Sequence, residues 1–299
     1  KRSPLLKCGV CRFFFCKKTS IISAPLHDLP MQILLMFNIM VVGEEKYMRI
    51  KRLTAIILLC FILVAGVYYL YGQYTVFAFK LKGYDQLVTP HFIILFKPES
   101  AEGIPIIANA AEKTYEIVGK NFDFYPKGKT PIVVFPDSRS LQAAFNWPHD
   151  ENTQGVYFRG TIYVQSPDVW IDATQDAEKV FFAKGPMVHE YTHLVVDCLT
   201  SGNYSRWFTE GVAQYVERFV TGYTLREDFV VAEYNAYSYE EIMNNFDDLQ
   251  DVASAYLGAL EMTSLLAGDG GIQELKSIML LLREGYSADA IFLQRAGVS

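Results

Sequence analysis

An apolar run without a charged residue extends from Leu53 to Tyr71, and beyond this run hydrophobic residues alternate with polar ones at the periods of strands and helices. An apolar run of this length can span a bilayer as one helix. Basic residues precede it at Arg49, Lys51 and Arg52, so the positive-inside rule assigns its amino-terminal end to the cytoplasm. We therefore predict a cell-membrane anchor with an extracytoplasmic body.

The predicted chain has four parts. Residues 1–47 are an extension left out of the fold, residues 48–72 form the signal anchor, residues 73–89 are a connector, and residues 90–299 form the folded domain. A cleaved signal peptide is the alternative to the anchor, and it would make the domain a secreted protein. Bulky aromatic residues follow the apolar core where a cleavage site needs small ones, which favours a retained anchor.

Short apolar runs and amphipathic periods predict an α+β domain after residue 90. Strands are predicted at Phe92–Phe96 and Pro131–Phe135, and a helical period covers residues 101–121. Asp137 or Ser138 caps a helix that ends at Phe145. Later helices are predicted over residues 252–267 and 272–284, with a capping box at Ser238–Glu241 and a last helix after Ser287.

The segment Gly155–Gln165 has two β-rich halves separated by Gly160. A glycine inside a strand pattern is typical of a bulge or bend, so we predict one bent or bulged edge strand here.

Charge and cysteine usage exclude two classes of protein. Residues 53–299 carry 17 basic and 30 acidic residues, and such an acidic body is a poor match to nucleic acid, whose affinity comes from neutralised phosphates. Of the five cysteines only Cys198 lies in the folded part, which excludes a disulfide framework.

The candidate metal-binding motif is His189-Glu190-Tyr191-Thr192-His193. Residues four apart lie on one face of an α-helix, so His189 and His193 can hold one metal ion. Gly185-Pro186 before the motif and an apolar face around it supply the helix that the motif requires. The alternative to a metal site is a surface helix on which both histidines face solvent.

A second helix offers a third ligand. A zinc site with two histidines needs one more protein ligand and an open position. Glu210 follows His193 by 17 residues, after a turn, and can return to the metal from an antiparallel neighbouring helix.

These motifs resemble those of the gluzincin zinc metallopeptidases, in particular the bacterial peptidase MA-like domains. The matching residues are His189-Glu190-x-x-His193 followed by Trp207-x-x-Glu210-Gly211-x-Ala213-x-Tyr215. The resemblance implies a zincin (thermolysin-like) fold, with a small mixed sheet over a helical lower half. It implies that His189, His193 and Glu210 hold one Zn²⁺ per chain and that Glu190 is the general base.

Further roles follow from the same resemblance. Tyr256 is where relatives place the residue that stabilises the oxyanion, although a tyrosine in an apolar helical stripe is more often a core residue. Many relatives orient a ligand histidine with an aspartate four residues after the glutamate ligand, and this position is Gln214 here. Glu217 is the alternative residue for orienting that histidine, or else it is an exposed helix glutamate.

The substrate of a zincin lies extended along the edge strand of the sheet, which we predict to be Thr161–Gln165, with Thr161, Ile162, Tyr163, Val164 and Gln165 as substrate-binding residues. The glutamate motif with which related aminopeptidases bind a free amino terminus does not occur in the sequence. The expected function is therefore a membrane-anchored endopeptidase acting on peptides or proteins. There are two alternatives: a catalytically silent receptor or scaffold that contains a metal, and a zinc aminopeptidase.

Overall fold

The computed structural model describes six stretches of the chain, which are residues 49, 51–63, 78–80, 82–147, 153–223 and 237–297. The chain divides into two units, Lys1–Ala65 and Gly66–Ser299.

In the first unit, residues 51–63 are helical and their apolar side chains are exposed, with Phe61 71% exposed. Among the helices of the described stretches, none has the length and apolar character needed to cross a membrane. The predicted anchor is only partly covered, because residues 64–72 lie outside the described residues, as does the extension over residues 1–47. The anchor stays a prediction.

The second unit contains a five-stranded mixed sheet in the order β1-β2-β3-β5-β4. The strands are β1 (Asp85–Val88), β2 (Phe92–Phe96), β3 (Thr130–Phe135), β4 (Gly155–Phe158) and β5 (Thr161–Gln165). The three inner strands β2, β3 and β5 run parallel, and the two outer strands pair antiparallel with their neighbours. Both predicted inner strands are confirmed, β2 with its predicted bounds.

The alternation of side chains along these strands divides the apolar residues between two faces. One face joins the main core through Ile94, Ile132 and Ile162. The opposite face carries Leu95 and Val133 in a smaller cluster. Because both faces are covered, the inner strands are apolar nearly throughout.

The predicted bent strand over Gly155–Gln165 is wrong, because this segment is a β-hairpin. Arg159 and Gly160 both have positive φ, 47° and 79°, which is the backbone of a tight two-residue turn and not of a bulge. β5 is consequently an inner strand, bonded to β3 and β4, and β4 is the edge. The substrate-binding prediction for residues 161–165 therefore lacks the free edge on which it depended.

From residue 104 onward, the described part of the second unit contains nine α-helices. They are α1 (Ile104–Phe122), α2 (Ser138–Phe145), α3 (Ala177–Lys184), α4 (Met187–Thr200), α5 (Arg206–Thr221), α6 (Tyr239–Asn245), α7 (Val252–Ala267), α8 (Gly271–Arg283) and α9 (Ala288–Ala296). The predicted caps at Asp137 and Ser287 and the capping box at Ser238–Glu241 are confirmed.

Helix α4 lies at the centre of the packing. It contacts α1, α5 and α8 as well as strands β4 and β5, and α5 in turn packs against α7. Tyr191 and Val195 of α4 are fully buried, and so are Trp207 and Phe208 at the start of α5. These contacts fix α4 and α5 against each other, and the candidate site lies between them.

Candidate metal centre

Helix α4 carries the two histidines on one face. The rings of His189 and His193 lie 4.8 Å apart, centroid to centroid, at an angle of 76°. His193 is 7% exposed, and the side chain of His189 is 17% exposed. The alternative of two solvent-facing histidines therefore does not apply.

Helix α5 brings Glu210 against both rings. Its Oε2 lies 3.3 Å from Nε2 of His189 and its Oε1 lies 3.6 Å from Nε2 of His193. The possible ligand atoms of these three residues all lie within 4.8 Å of one another, and Glu210 is 2% exposed. The geometry brings together the three residues for which a shared metal is predicted.

The outer nitrogen of each imidazole has a different partner. Nδ1 of His189 lies 3.2 Å from Oε2 of Glu217, and Nδ1 of His193 lies 2.7 Å from Oγ1 of Thr209. An Nδ1–H that donates to these oxygens leaves the Nε2 lone pair for a metal, which is the usual arrangement around ligand histidines. The donor set and its outer contacts thus fit a zinc ion, whose structural and catalytic sites use histidine nitrogen and carboxylate oxygen.

The negative charge of the buried cluster favours a bound cation. Burial lowers the pKa of His189, but hydrogen bonds to Glu210 and Glu217 outweigh it and raise that pKa well above its usual value. Burial raises the pKa of Glu210, and the neighbouring His193, His189 and Arg206 reverse this and hold it well below its usual range. A divalent cation is stabilised by the same negative charge that stabilises a proton on His189.

Glu190 lies beside the cluster without joining the three possible ligands. It is 7% exposed, and burial raises the pKa of its carboxyl, opposed by His189, His193 and the backbone amide of Tyr157. A carboxylate whose pKa is raised by burial is better matched to proton transfer near neutral pH than an exposed one.

A cavity of about 850 Å³ opens over these residues. One wall is the start of the hairpin, from Thr153 to Tyr157, and the other comes from helix α7 and the turn before it, including Phe246, Leu249 and Tyr256. None of the five residues predicted to bind substrate, 161–165, lines this cavity.

The edge strand β4 turns its free side toward Glu190. The amide of Gln165 donates to the carbonyl of Gln154 at 2.9 Å, and bonded and non-bonded pairs alternate in an antiparallel ladder. The backbone groups of Gly155 and Tyr157 therefore point away from β5. A Cβ atom on Gly155 would lie 2.4 Å from Cβ of Pro186 and 3.0 Å from Cγ of Glu190, so only glycine permits this close approach.

Of two further residues predicted to belong to the site, Tyr256 lies at the cavity and Gln214 does not contact the histidines. Tyr256 lines the cavity, and burial together with Glu210 raises the pKa of its hydroxyl, which keeps it a donor. Gln214 does not contact the histidines, because its Nε2 donates to the carbonyls of Glu210, at 3.3 Å, and Tyr256, at 2.8 Å. It ties α5 to α7, and Glu217 contacts the imidazole instead, since it lies two helical turns from Glu210 on the same face.

Sequence reasoning missed Thr209, Arg206 and Tyr157. Thr209 directly precedes the ligand Glu210 in the sequence, and this adjacency was a weak indication that it contacts His193. Arg206 lies one turn before Glu210, and its Nη1 is 2.6 Å from Oε1 of that residue. Tyr157 donates to Asp197 at 2.6 Å and so ties β4 to the end of α4, a contact with no local signal.

In comparisons with known proteins, no protein-family model and no curated protein matches the chain. The assignment of the site therefore rests on the positions and chemistry of its residues.

Proposed function

We propose that the protein is a zinc-dependent endopeptidase. The observation that carries this proposal is the combination of three inward-facing ligands, His189, His193 and Glu210, with a buried carboxylate, Glu190, that lies outside the ligand set. A cavity bounded by a free strand edge adds room for an extended peptide. The proposal also agrees with the resemblance of the sequence motifs to gluzincin metallopeptidases.

His189, His193 and Glu210 would hold the ion, with Nδ1 of each imidazole fixed by Glu217 or Thr209. Zinc, when bound, polarises a carbonyl group and makes a water molecule more acidic. The proton transfers belong to Glu190, which takes a proton from the attacking water and passes it to the leaving amine. Its burial and its place next to the ligands suit both transfers.

The hydroxyl of Tyr256 is proposed to stabilise the negative charge that develops on the carbonyl oxygen. The residue faces the same cavity as Glu190 and Glu210, and its raised pKa keeps the proton available for donation. Preorganised donors of this kind are among the largest contributions to catalysis of acyl transfer.

The substrate is proposed to lie along β4, residues 155–158, and not along β5. Gly155 offers its backbone groups and Tyr157 its carbonyl at the free edge, while the amide of Tyr157 is directed at the Glu190 carboxylate. An extended peptide that adds to such an edge gains main-chain hydrogen bonds at regular intervals. Binding through the main chain accepts interior peptide segments, which supports endopeptidase action.

A catalytically silent scaffold that uses the metal for stability is the competing function. A structural zinc site has closed coordination by four protein ligands. Here the described residues supply three, and the buried Glu190 has no role in a purely structural site. These two features favour the enzyme.

Attachment to the cell membrane, with the catalytic domain outside the cytoplasm, is part of the proposal and rests on the apolar run of the sequence.

The deciding experiment combines metal analysis with a peptide-library digest. The wild-type chain should contain one zinc per molecule and cut peptides, and His189→Ala, His193→Ala and Glu210→Ala should each lose the metal. Glu190→Gln is the matched control: it should keep metal and fold but lose hydrolysis by about 10²–10⁴-fold. Wild-type hydrolysis by Glu190→Gln would refute the general-base role, and equal zinc content in all variants would refute the metal centre.

A further inference from the structure

Arg206 is the first residue of α5 and connects the ligand Glu210 to the far wall of the cavity. Its Nη1 lies 2.6 Å from Oε1 of Glu210, one helical turn later. Its Nε lies 3.2 Å from Oδ1 of Asp247, in the turn after α6. The guanidinium is thus held from two sides, by a buried carboxylate and by one that is 74% exposed.

The two carboxylate oxygens of Glu210 have different surroundings. Oε1 receives the guanidinium of Arg206 at 2.6 Å and also lies 3.6 Å from Nε2 of His193, while Oε2 lies 3.3 Å from Nε2 of His189 and does not contact the arginine. A charge-assisted hydrogen bond at 2.6 Å is a strong one, and arginine stays protonated in proteins. Oε2 is therefore the oxygen that Glu210 has free to give to a cation shared with the histidines.

We propose that Arg206 is a positioning residue for the metal centre: it holds Oε1 of Glu210, so that this ligand presents only Oε2 to the ion. This inference rests on the proposed metal centre and adds a function for a residue outside the ligand set. A carboxylate that binds through one oxygen leaves a coordination position for water or substrate, which a catalytic zinc site requires. Binding through both oxygens would fill that position.

The ion pair of Arg206 with Asp247 contributes little to stability and does not explain the position of the arginine. Its contact with Asp247 is between a half-exposed and an exposed side chain, and such pairs contribute little to folding. A positive charge beside a metal site also opposes metal binding by simple repulsion. Control over how Glu210 binds is the role that explains the contact with Oε1, and that contact does not depend on the exposed Asp247.

The test uses the full chain loaded with Co²⁺, whose visible absorption is stronger in four-coordinate than in five-coordinate sites and so reports coordination. Arg206→Met should still bind one Co²⁺ per chain, but its visible absorption should lose intensity because both oxygens of Glu210 are free to bind. Arg206→Gln removes the same charge with a polar side chain and serves if the methionine variant does not fold. Arg206→Lys should restore the wild-type spectrum, since an ammonium group four residues before Glu210 can still pair with Oε1.

Asp247→Asn is the matched control, since it removes a charge from the same ion-pair chain and leaves Arg206 on Glu210. Its Co²⁺ spectrum should equal that of the wild type. Identical spectra for the wild type and both neutral Arg206 variants would overturn the positioning role. So would neutral variants that lose both the metal and their thermal stability, because that result indicates a purely structural role. A wild-type chain that binds no Co²⁺ would instead refute the metal centre of the proposed function, and this inference with it.

Discussion

Oε2 of Glu217 lies 3.2 Å from Nδ1 of His189, on the side of the ring opposite Glu210. The two glutamates are seven residues apart on α5, close to two full helical turns, and therefore lie on the same face. One helix thus supplies both the carboxylate that faces Nε2 and the carboxylate that fixes Nδ1. This arrangement sets the orientation of the imidazole before any metal binds.

Glu217→Gln should weaken zinc binding by about 10–100-fold, the usual cost of removing a carboxylate that orients a ligand histidine. The measurement is competition for zinc with a chelator of known affinity. Gln214→Leu is the control on the same helix: it should reduce the free energy of unfolding by about 1–3 kcal/mol, because buried carbonyls lose their donor, with zinc affinity unchanged. The reverse pattern would assign the orienting role to Gln214.

Tyr256→Phe should lower kcat/KM for a cut peptide by about 10²–10³-fold and leave zinc content unchanged, since it removes a donor proposed to act only on the developing charge. Tyr204→Phe offers a comparison in the same cavity. Burial, together with the charge of Asp197, raises the pKa of the Tyr204 hydroxyl to about 12. If Tyr204→Phe lost more activity than Tyr256→Phe, the donor would be misassigned.

Gly155→Ala should disturb the site where β4 packs against α4. The added Cβ would overlap Pro186 and approach Glu190, so β4 must move away from α4. We expect a loss of about 1–3 kcal/mol in the free energy of unfolding, as for other overpacked positions, and a rise in KM for extended peptides. Thermal unfolding and peptide kinetics measure the two effects.

Gly160→Asn is the matched glycine control for that prediction. Its Cβ would meet no atom within 4 Å, and asparagine tolerates the positive φ of 79° at this turn. It should therefore change neither KM nor unfolding by a measurable amount. A Gly155→Ala variant as active and as stable as Gly160→Asn would contradict the close approach of β4 to α4.

Blocking the amino terminus of a peptide should not reduce its cleavage. Residues 155–166 contain no acidic side chain that could bind a free substrate amine, and Asp247 in the opposite wall is already paired with Arg206. A peptide and its acetylated form should be cut at the same interior bonds and at similar rates, as followed by mass spectrometry. Release of single residues from the free peptide alone would restore the aminopeptidase alternative.

Local signals predicted much of the second unit. Helix α7 has its predicted bounds, because Asp251 caps the amide of Ser254 and Gly268 follows the last residue. The hairpin over residues 155–165 was predicted wrongly, because one glycine between two β-rich runs fits a bulge as well as a turn. The φ values at Arg159 and Gly160 distinguish the two, and the sequence does not contain them.

The sequence by itself determined that His189 and His193 share a helix face and that Glu210 follows on a second helix, because helical periodicity depends only on spacing. Tertiary structure alone decided which strand is the edge and that Glu217 and not Gln214 reaches the imidazole, whereas Arg206 and Glu210 are a local pair four residues apart on one helix. The first two facts depend on how α4, α5 and β4 pack. Packing joins residues that are 16 to 41 positions apart, so no local pattern encodes it.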